Sequence, residues 1–174
     1  MQHDKVMKLY DEAEKALICK AGLYEIDMDK MAVLDHTRQV TAGVVKVFRA
    51  YGEENALMEL KSIALDPLWM AIAVSDLFLT AEQIAMCRPT FAAKNQDYGN
   101  TFMEDGVPGI LLRMKDKLSR AQHLLTVNQV NVENESVADT ISDLRNYAIM
   151  GVLWVLAQHE QAAEQEVKEA RIIR

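Results

Sequence analysis

An all-α fold is what this chain predicts, and three observations predict it. Only three prolines and seven glycines punctuate 174 residues. Apolar residues recur at spacings of three and four, and the β-branched alternation that marks strands is scarce. Half of the residues are hydrophobic, enough for one packed core, and the length suits a single domain over 1–174. The expected architecture is a helical bundle of about six or seven helices. It divides into N-terminal helices (1–87), a motif-bearing core (88–157) and a C-terminal helical tail (158–174).

In chain order, a first helix is expected from Asp4 to Ala21, with Val6, Leu9, Tyr10, Ala13, Leu17 and Ile18 on one stripe and Gly22 as its stop. A second spans Asp29 to Tyr51, its apolar face carried by Met31, Leu34, Val40, Val44, Val45, Val47 and Phe48, and Gly52 ends it. A short third, Glu53 to Leu65, gives way at Asp66-Pro67. The fourth, Pro67 to Cys87, is apolar nearly all round, which belongs in the middle of a bundle. Asp76 is its odd residue, either a hydrogen-bonded acid at the end of the bundle or an extra acid for a site. Arg88-Pro89 is expected to break this helix and open a polar connection through Gly109, with Pro108 starting the next helix. That helix carries Ile110, Leu111, Met114, Leu118, Ala121 and Leu125 on one side. Residues 126–134 read as a loop with Asn131 or Asn134 as N-cap. The last long helix starts near Glu133, turns fully apolar at Tyr147, and ends in a solvated, mixed-charge amphipathic tail.

Charge narrows the function classes. Charged residues make up 26%, the net charge is −7 and the pI is near 5.1. So acidic a surface repels a nucleic-acid backbone or an anionic membrane, while one local basic face can still take a small anion. Cys19 and Cys87 lack a CxxC spacing and read as reduced thiols of a cytosolic protein. No apolar run is long enough to span a membrane, and the N-terminus MQHDKVMKLYDEAEK has no apolar h-region, so a cytoplasmic location is expected. His3, His36, His123 and His159 make no HExxH or HD spacing, and no Walker A, GxGxxG or GxSxG motif occurs.

The polar residues of 88–147 fall at spacings that a solvated surface does not need. Arg113, Asp116, Lys117 and Arg120 stand at i, i+3, i+4 and i+7, an arc of roughly 100°. Glu135, Asp139 and Asp143 step by four, and Asn146 completes the row within about 80° of arc. Like charges at that spacing repel, and Mg²⁺, held by one or two carboxylates together with substrate phosphates, relieves the repulsion. The cationic face could clamp a di- or triphosphate, arginine bidentately and lysine as a point charge, with Asp116 orienting an arginine or joining the metal shell. Each face also has a plain reading as solvated charge. Lys94-Asn95-Gln96-Asp97-Tyr98-Gly99-Asn100 reads either as a loop that stacks a base on Tyr98 and bonds it through Asp97 or Asn100, or as a turn with Gly99 at positive φ and Tyr98 packed on the bundle.

KNQDYGNTF, GILLRMKDKLSRAQHLL and ESVADTISDLRNYAIM resemble a small domain, found largely in phage and bacterial genomes, that is named for its association with nucleotide modification. Its pattern is roughly K-x-x-D-Y-G, R-x-x-D-K-x-x-R and E-x-x-x-D-x-x-x-D-x-x-N-Y, and the resemblance covers about residues 88 to 157. That domain is distantly similar to the MazG-like all-α nucleoside triphosphate pyrophosphohydrolases and dimeric dUTPases, whose acids on neighbouring helices hold Mg²⁺ against the phosphates. The resemblance therefore implies a MazG-like core and a nucleotide pocket with a metal. The E-E-x-x-E hallmark is absent, because Glu53, Glu54 and Glu59 are mis-spaced for it.

The expected function is a Mg²⁺- or Mn²⁺-dependent pyrophosphohydrolase acting on a (deoxy)nucleoside triphosphate. Glu135 and Asp139 are its catalytic and metal-holding acids, with Asp116 or Asp143 assisting. Lys94, Arg113, Lys117 and Arg120 contact phosphates, and Asp97, Tyr98, Asn146 and Tyr147 contact the nucleoside. The alternative is a nucleotide-binding or sequestering protein without turnover, and a third reading is a structural bundle with solvated charges. The apolar stretches 67–87 and 148–157 need cover, which a homodimer or homotetramer would provide.

Overall fold

The computed structural model describes residues 1–22, 29–52, 65–127 and 136–172, which form six α-helices and, among the described residues, no strand. The helices are α1 (His3–Ala21), α2 (Lys30–Tyr51), α3 (Asp66–Phe78), α4 (Ala81–Tyr98), α5 (Phe102–Val127) and α6 (Val137–Ile172). The third helix expected over Glu53–Leu65 falls almost wholly outside the described residues. Among the described residues, no helix is long and apolar enough to cross a membrane.

α1 buries Val6, Leu9, Tyr10, Ala13 and Leu17, the stripe its spacing predicts, although Ile18 is exposed. Asp29 caps α2, its carboxylate accepting the backbone N–H of Met31 at 2.8 Å and of Ala32 at 3.3 Å. Two threonines of α2, Thr37 and Thr41, are fully buried among its valines. Each hydroxyl donates to the carbonyl four residues earlier (Val33 and Thr37, both at 2.7 Å), so neither enters the core unsatisfied.

The single helix expected over Pro67–Cys87 is two. α3 ends at Phe78, and Leu79 and Thr80 are extended. Thr80 then starts α4 with a reciprocal cap: its hydroxyl accepts the N–H of Gln83, and the Gln83 side chain accepts the N–H of Thr80. Conversely, Arg88-Pro89 does not break the chain. Pro89 sits inside α4 with its ring and Ala85 both on the exposed side, so water can reach the Ala85 carbonyl that proline leaves without a donor. The polar connection expected from Arg88 to Gly109 is therefore mostly helix. α4 runs on to Tyr98, where Gly99 closes it in the left-handed conformation (φ 64°, ψ 40°). α5 begins at Phe102 and kinks at Gly106, whose φ of 63° and ψ of −174° lie in a region open essentially to glycine alone. The regular run expected from Pro108 follows this kink.

α6 is the central element. Its Ile141, Leu144, Ala148, Ile149 and Leu153 are fully buried. A Cβ on Gly151 would meet the Leu68 methyl groups at 2.8 and 2.9 Å, so α3 and α6 approach as closely as they do because that side chain is absent. The two apolar segments expected to need cover pack partly on each other, while Leu77 and Met86 stay exposed. Residues 158–166 and 168 of the tail are mostly exposed, with Lys5 reaching Glu160 at 3.0 Å.

α6 also carries the residue that ties the bundle at its polar end. Arg145 has only 2% of its surface exposed. Its guanidinium donates to Ser75 Oγ (2.7 Å) and Asp76 Oδ1 (2.9 Å) on α3 and to Glu14 Oε1 (3.1 Å) on α1. Asp76 is thus the hydrogen-bonded acid of its two readings. Next to it, Asn146 accepts from the Tyr10 hydroxyl at 2.7 Å and donates to the Cys87 carbonyl at 3.1 Å, joining α1, α6 and α4. The acids around Arg145 reach solvent (23% for Glu14, 49% for Asp76), whereas the arginine does not. An asymmetry follows. Arg145→Met leaves two carboxylates that water can solvate and is expected to change stability by about 1 kcal/mol or less. Glu14→Gln combined with Asp76→Asn strands a buried cation and is expected to cost about 3 kcal/mol or more. Urea denaturation of the two variants checks the order.

Candidate functional site

The site lies where α4, α5 and α6 meet, and Asp143 is its centre. One carboxylate oxygen accepts from Lys94 Nζ of α4 at 2.8 Å, and the other accepts from Lys117 Nζ of α5 at 2.7 Å. Burial opposes ionisation of Asp143, but the ammonium groups of Lys117 and Lys94 outweigh it and hold the carboxyl below the ordinary value of 3.8. Burial likewise works against the charge on Lys94, and Asp143 more than compensates, raising its pKa.

Two cavities open on either side of this Lys94–Asp143 pair. One, of about 510 Å³, is lined by Lys94, Lys117, Arg120, Asp139, Glu82 and Cys87 among others. The second, of about 410 Å³, is lined by aromatic rings (Phe91, Tyr98, Phe102 and Tyr147) with Asn95 and Arg113. Lys94 and Asp143 border both. Both volumes fall in the range of small-molecule pockets, about 300–1,000 Å³. Phe91 forms the inner wall of the aromatic cavity, stacked on Tyr10 at 4.6 Å and edge-on to Phe102 at 6.1 Å. The cationic cavity is named for Lys94, Lys117 and Arg120, which could contact phosphates, but it also carries three acids, Glu82, Asp139 and Asp143.

The expected faces are rearranged by this packing. Arg113, Asp116, Lys117 and Arg120 do not act together. Lys117 and Arg120 face the cationic cavity, while Arg113 faces the aromatic one. Arg113 donates to Asp105 at 3.0 Å, a pairing that raises its pKa. Asp116 is exposed and lines neither cavity. Lys94, Asp97 and Tyr98 sit on the last turns of α4 and not in a loop. Gly99 has the positive φ of the turn reading, but Tyr98 is 69% exposed at the cavity edge instead of packed on the bundle. Asp97 is exposed and lines neither cavity.

The acid row also divides. Glu135 lies outside the described residues, as do Asn131 and Asn134. Asp139 borders the cationic cavity, but its Oδ2 accepts from the N–H (2.9 Å) and hydroxyl (2.6 Å) of Ser136, whose hydroxyl in turn accepts the Asp139 N–H. This reciprocal pair caps α6. Asn146 contributes to the wall of the aromatic cavity with both ends of its amide engaged, and Tyr147 is half-buried there.

Among the described residues the acids of the site have other partners, and Glu135, the first acid of the expected metal set, lies outside them. Each Asp143 oxygen faces a lysine ammonium, Asp139 spends an oxygen on the cap, and Asp116 is elsewhere. Among the described residues, no group of three histidine, cysteine, aspartate or glutamate side chains is placed to hold a metal. Cys87 reaches the cationic cavity, but burial pushes its thiol pKa up and away from the reactive thiolate. Sequence reasoning missed Asp105, Phe91, Phe102 and Arg145. The TAEQ capping signature at Thr80–Gln83 could have placed α4, and with it Phe91, correctly.

An all-helical bundle with a cationic and an aromatic cavity sharing one wall is the class that fold and site define. Residues 94–155 match the family model described as Nucleotide modification associated domain 1. The match begins at Lys94 and encloses Arg113, Lys117, Arg120, Asp139 and Asp143, in agreement with the motif resemblance; it does not itself show the MazG-like similarity. Neither the curated proteins nor the solved structures gave a match.

The depressed pKa of Asp143 has a definite sign. Between the folded and unfolded values the unfolded chain binds more protons, so this contribution is present above the ordinary value of 3.8 and lost as pH falls through the folded value. The stability difference between wild type and Asp143→Asn is therefore expected to be largest near neutrality and to shrink, by about 1 kcal/mol or less, on acidification to about pH 3. Paired urea titrations at the two pH values measure it.

Proposed function

We propose that the joined cavities bind a nucleotide, with its phosphates against Lys94, Lys117 and Arg120 and its base against the aromatic wall of Tyr98, Tyr147 and Phe91. The observation that carries this reading is the arrangement around Asp143. Lys94 and Asp143 stand at the boundary between a cationic cavity and an aromatic-lined one, and Lys117, from another helix, joins Asp143 on the cationic side. A nucleotide needs those two environments side by side, since the base gains from stacking and the phosphates from charge-assisted hydrogen bonds. The name of the family model over residues 94–155 is compatible with such a ligand.

Turnover to a nucleoside monophosphate and pyrophosphate, with Mg²⁺ or Mn²⁺, is a second reading. What favours it is Asp139 at the rim of the cationic cavity, one helical turn before Asp143. Binding without turnover needs none of the acids to act on a metal, and it is the reading the donor arrangement supports better.

Isothermal titration with a panel of ribo- and deoxynucleotides is expected to find a binder. Lys117→Ala should weaken it at least about tenfold, the worth of one lost charge-assisted hydrogen bond. A panel with no binder to the folded protein would remove the proposal. Pyrophosphate release in the presence of Mg²⁺ or Mn²⁺ separates the two readings.

A further inference from the structure

Asn95 stands on the same side of α4 as Phe91 and Tyr98, four residues after the first and three before the second, and all three line the aromatic cavity. It is more than nine-tenths buried, with 8% of its surface exposed. Its amide does not turn freely, because a chain of hydrogen bonds sets its direction. The Met1 carbonyl can only accept, so Asn100 presents its NH2 to it at 3.1 Å. That leaves the Asn100 oxygen toward Asn95, which answers with its own NH2 at 2.8 Å. The Asn95 Oδ1 is what remains. It meets no donor among the described residues and is not sealed from solvent, and the cavity it lines is where it opens. The other polar groups of this cavity are differently placed. Both ends of the Asn146 amide are engaged, and both Asp143 oxygens hold lysines. Thr101, Asp105 and Arg113 are exposed. Asn95 therefore supplies the buried acceptor of this cavity.

We propose that Asn95 is a specificity-determining residue: its fixed Oδ1 accepts from the exocyclic amino group of a nucleobase, so the site takes amino-bearing bases such as cytosine and adenine in preference to their keto counterparts, uracil and hypoxanthine. The inference rests on the nucleotide-binding reading above, with the base in the aromatic cavity. Replacing the amino group by a carbonyl sets two acceptors against each other where a hydrogen bond was. The buried Oδ1 cannot rotate away without breaking the tie to Asn100. The ring N–H of a keto base offers no simple substitute. At least one carbonyl oxygen flanks it and would need a donor beside Oδ1, and the Asn95 NH2 is already turned to Asn100. A site whose buried polar group is left unpaired by the wrong ligand discriminates more sharply than an apolar pocket of the same shape.

The test uses the full chain and matched pairs of probes, cytidine against uridine triphosphate and adenosine against inosine triphosphate. Each is titrated by calorimetry into wild type, Asn95→Leu and Asn100→Gly. Wild type is expected to bind the amino member of each pair at least about tenfold more tightly. Asn95→Leu keeps the volume and removes the acceptor, so the members of each pair should bind within about threefold of one another. Asn100→Gly keeps the backbone, whose φ of 63° glycine accepts, and frees the Asn95 amide to present either end. It is expected to bind both members, with the preference reduced at least about threefold. A merely structural Asn95 would lower all the affinities together and leave both ratios as in wild type. That result, or a wild type that binds the keto member of each pair as tightly or more tightly, overturns the inference while nucleotide binding stands. If none of these probes binds but another nucleotide does, the inference likewise falls and the reading stands. If no nucleotide binds the folded protein, the nucleotide reading itself fails. Circular dichroism reports whether the variants fold. Should Asn95→Leu not fold, Asn100→Gly decides instead: an amino-to-keto ratio unchanged from wild type refutes selection by a fixed Asn95 amide.

Discussion

The buried guanidinium of Arg145 is the constraint on which the rest of this bundle depends. A cation with 2% of its surface exposed is tolerable only where its donors are met. Here they are met by two other helices, Glu14 from α1 and Ser75 with Asp76 from α3. The Arg145 fork of fixed donors adds a directional tie to the close packing of α6 on its neighbours, seen where Gly151 meets Leu68, and together they fix the height and rotation of α6. Asn146 repeats the effect one residue later, through Tyr10 and the Cys87 carbonyl.

With that register set, the positions around it on α6 take distinct fates. Arg145 and Asn146 turn into the bundle and are consumed there, whereas Asp143 emerges between α4 and α5 and meets Lys94 and Lys117. The same ion-pair chemistry thus does two different things within three residues. At Arg145 it is sealed and structural. At Asp143 it is open to two cavities. Local backbone features supply the walls. The left-handed Gly99 ends α4 beside Tyr98, and the Gly106 kink lets Phe102 and Asp105 turn toward the aromatic cavity before α5 straightens.

Much of this was legible in the chain. The stripe Val6–Leu17, the start of α2 near Asp29, the stops at Gly22 and Gly52, and the apolar length of α6 follow from spacing and breaker chemistry. Lys117 and Asp143 stand out by regular helical spacing and Lys94 by its place in the KNQDYGN segment, and the three converge. What failed was the treatment of Pro89 as a break. An exposed proline is tolerated inside α4 because water can satisfy the carbonyl it orphans, a fact about exposure that a sequence does not state. The break at Leu79–Thr80 was written in TAEQ, but the apolar residues on both sides of it hid the signal.

The sequence by itself determined that this chain is helical, where most of its helices lie, and which residues carry charge at helical spacing. It did so because period, caps and breakers act between residues a few positions apart. Only the tertiary structure decided which of those charges meet. Arg113 and Lys117 share an arc of one helix yet serve different cavities, and Asp139 and Asp143 share another yet differ in partners. The reason is that a helix face is divided by the neighbours packed against it, and those neighbours come from distant parts of the chain whose register a buried arginine and close packing set together.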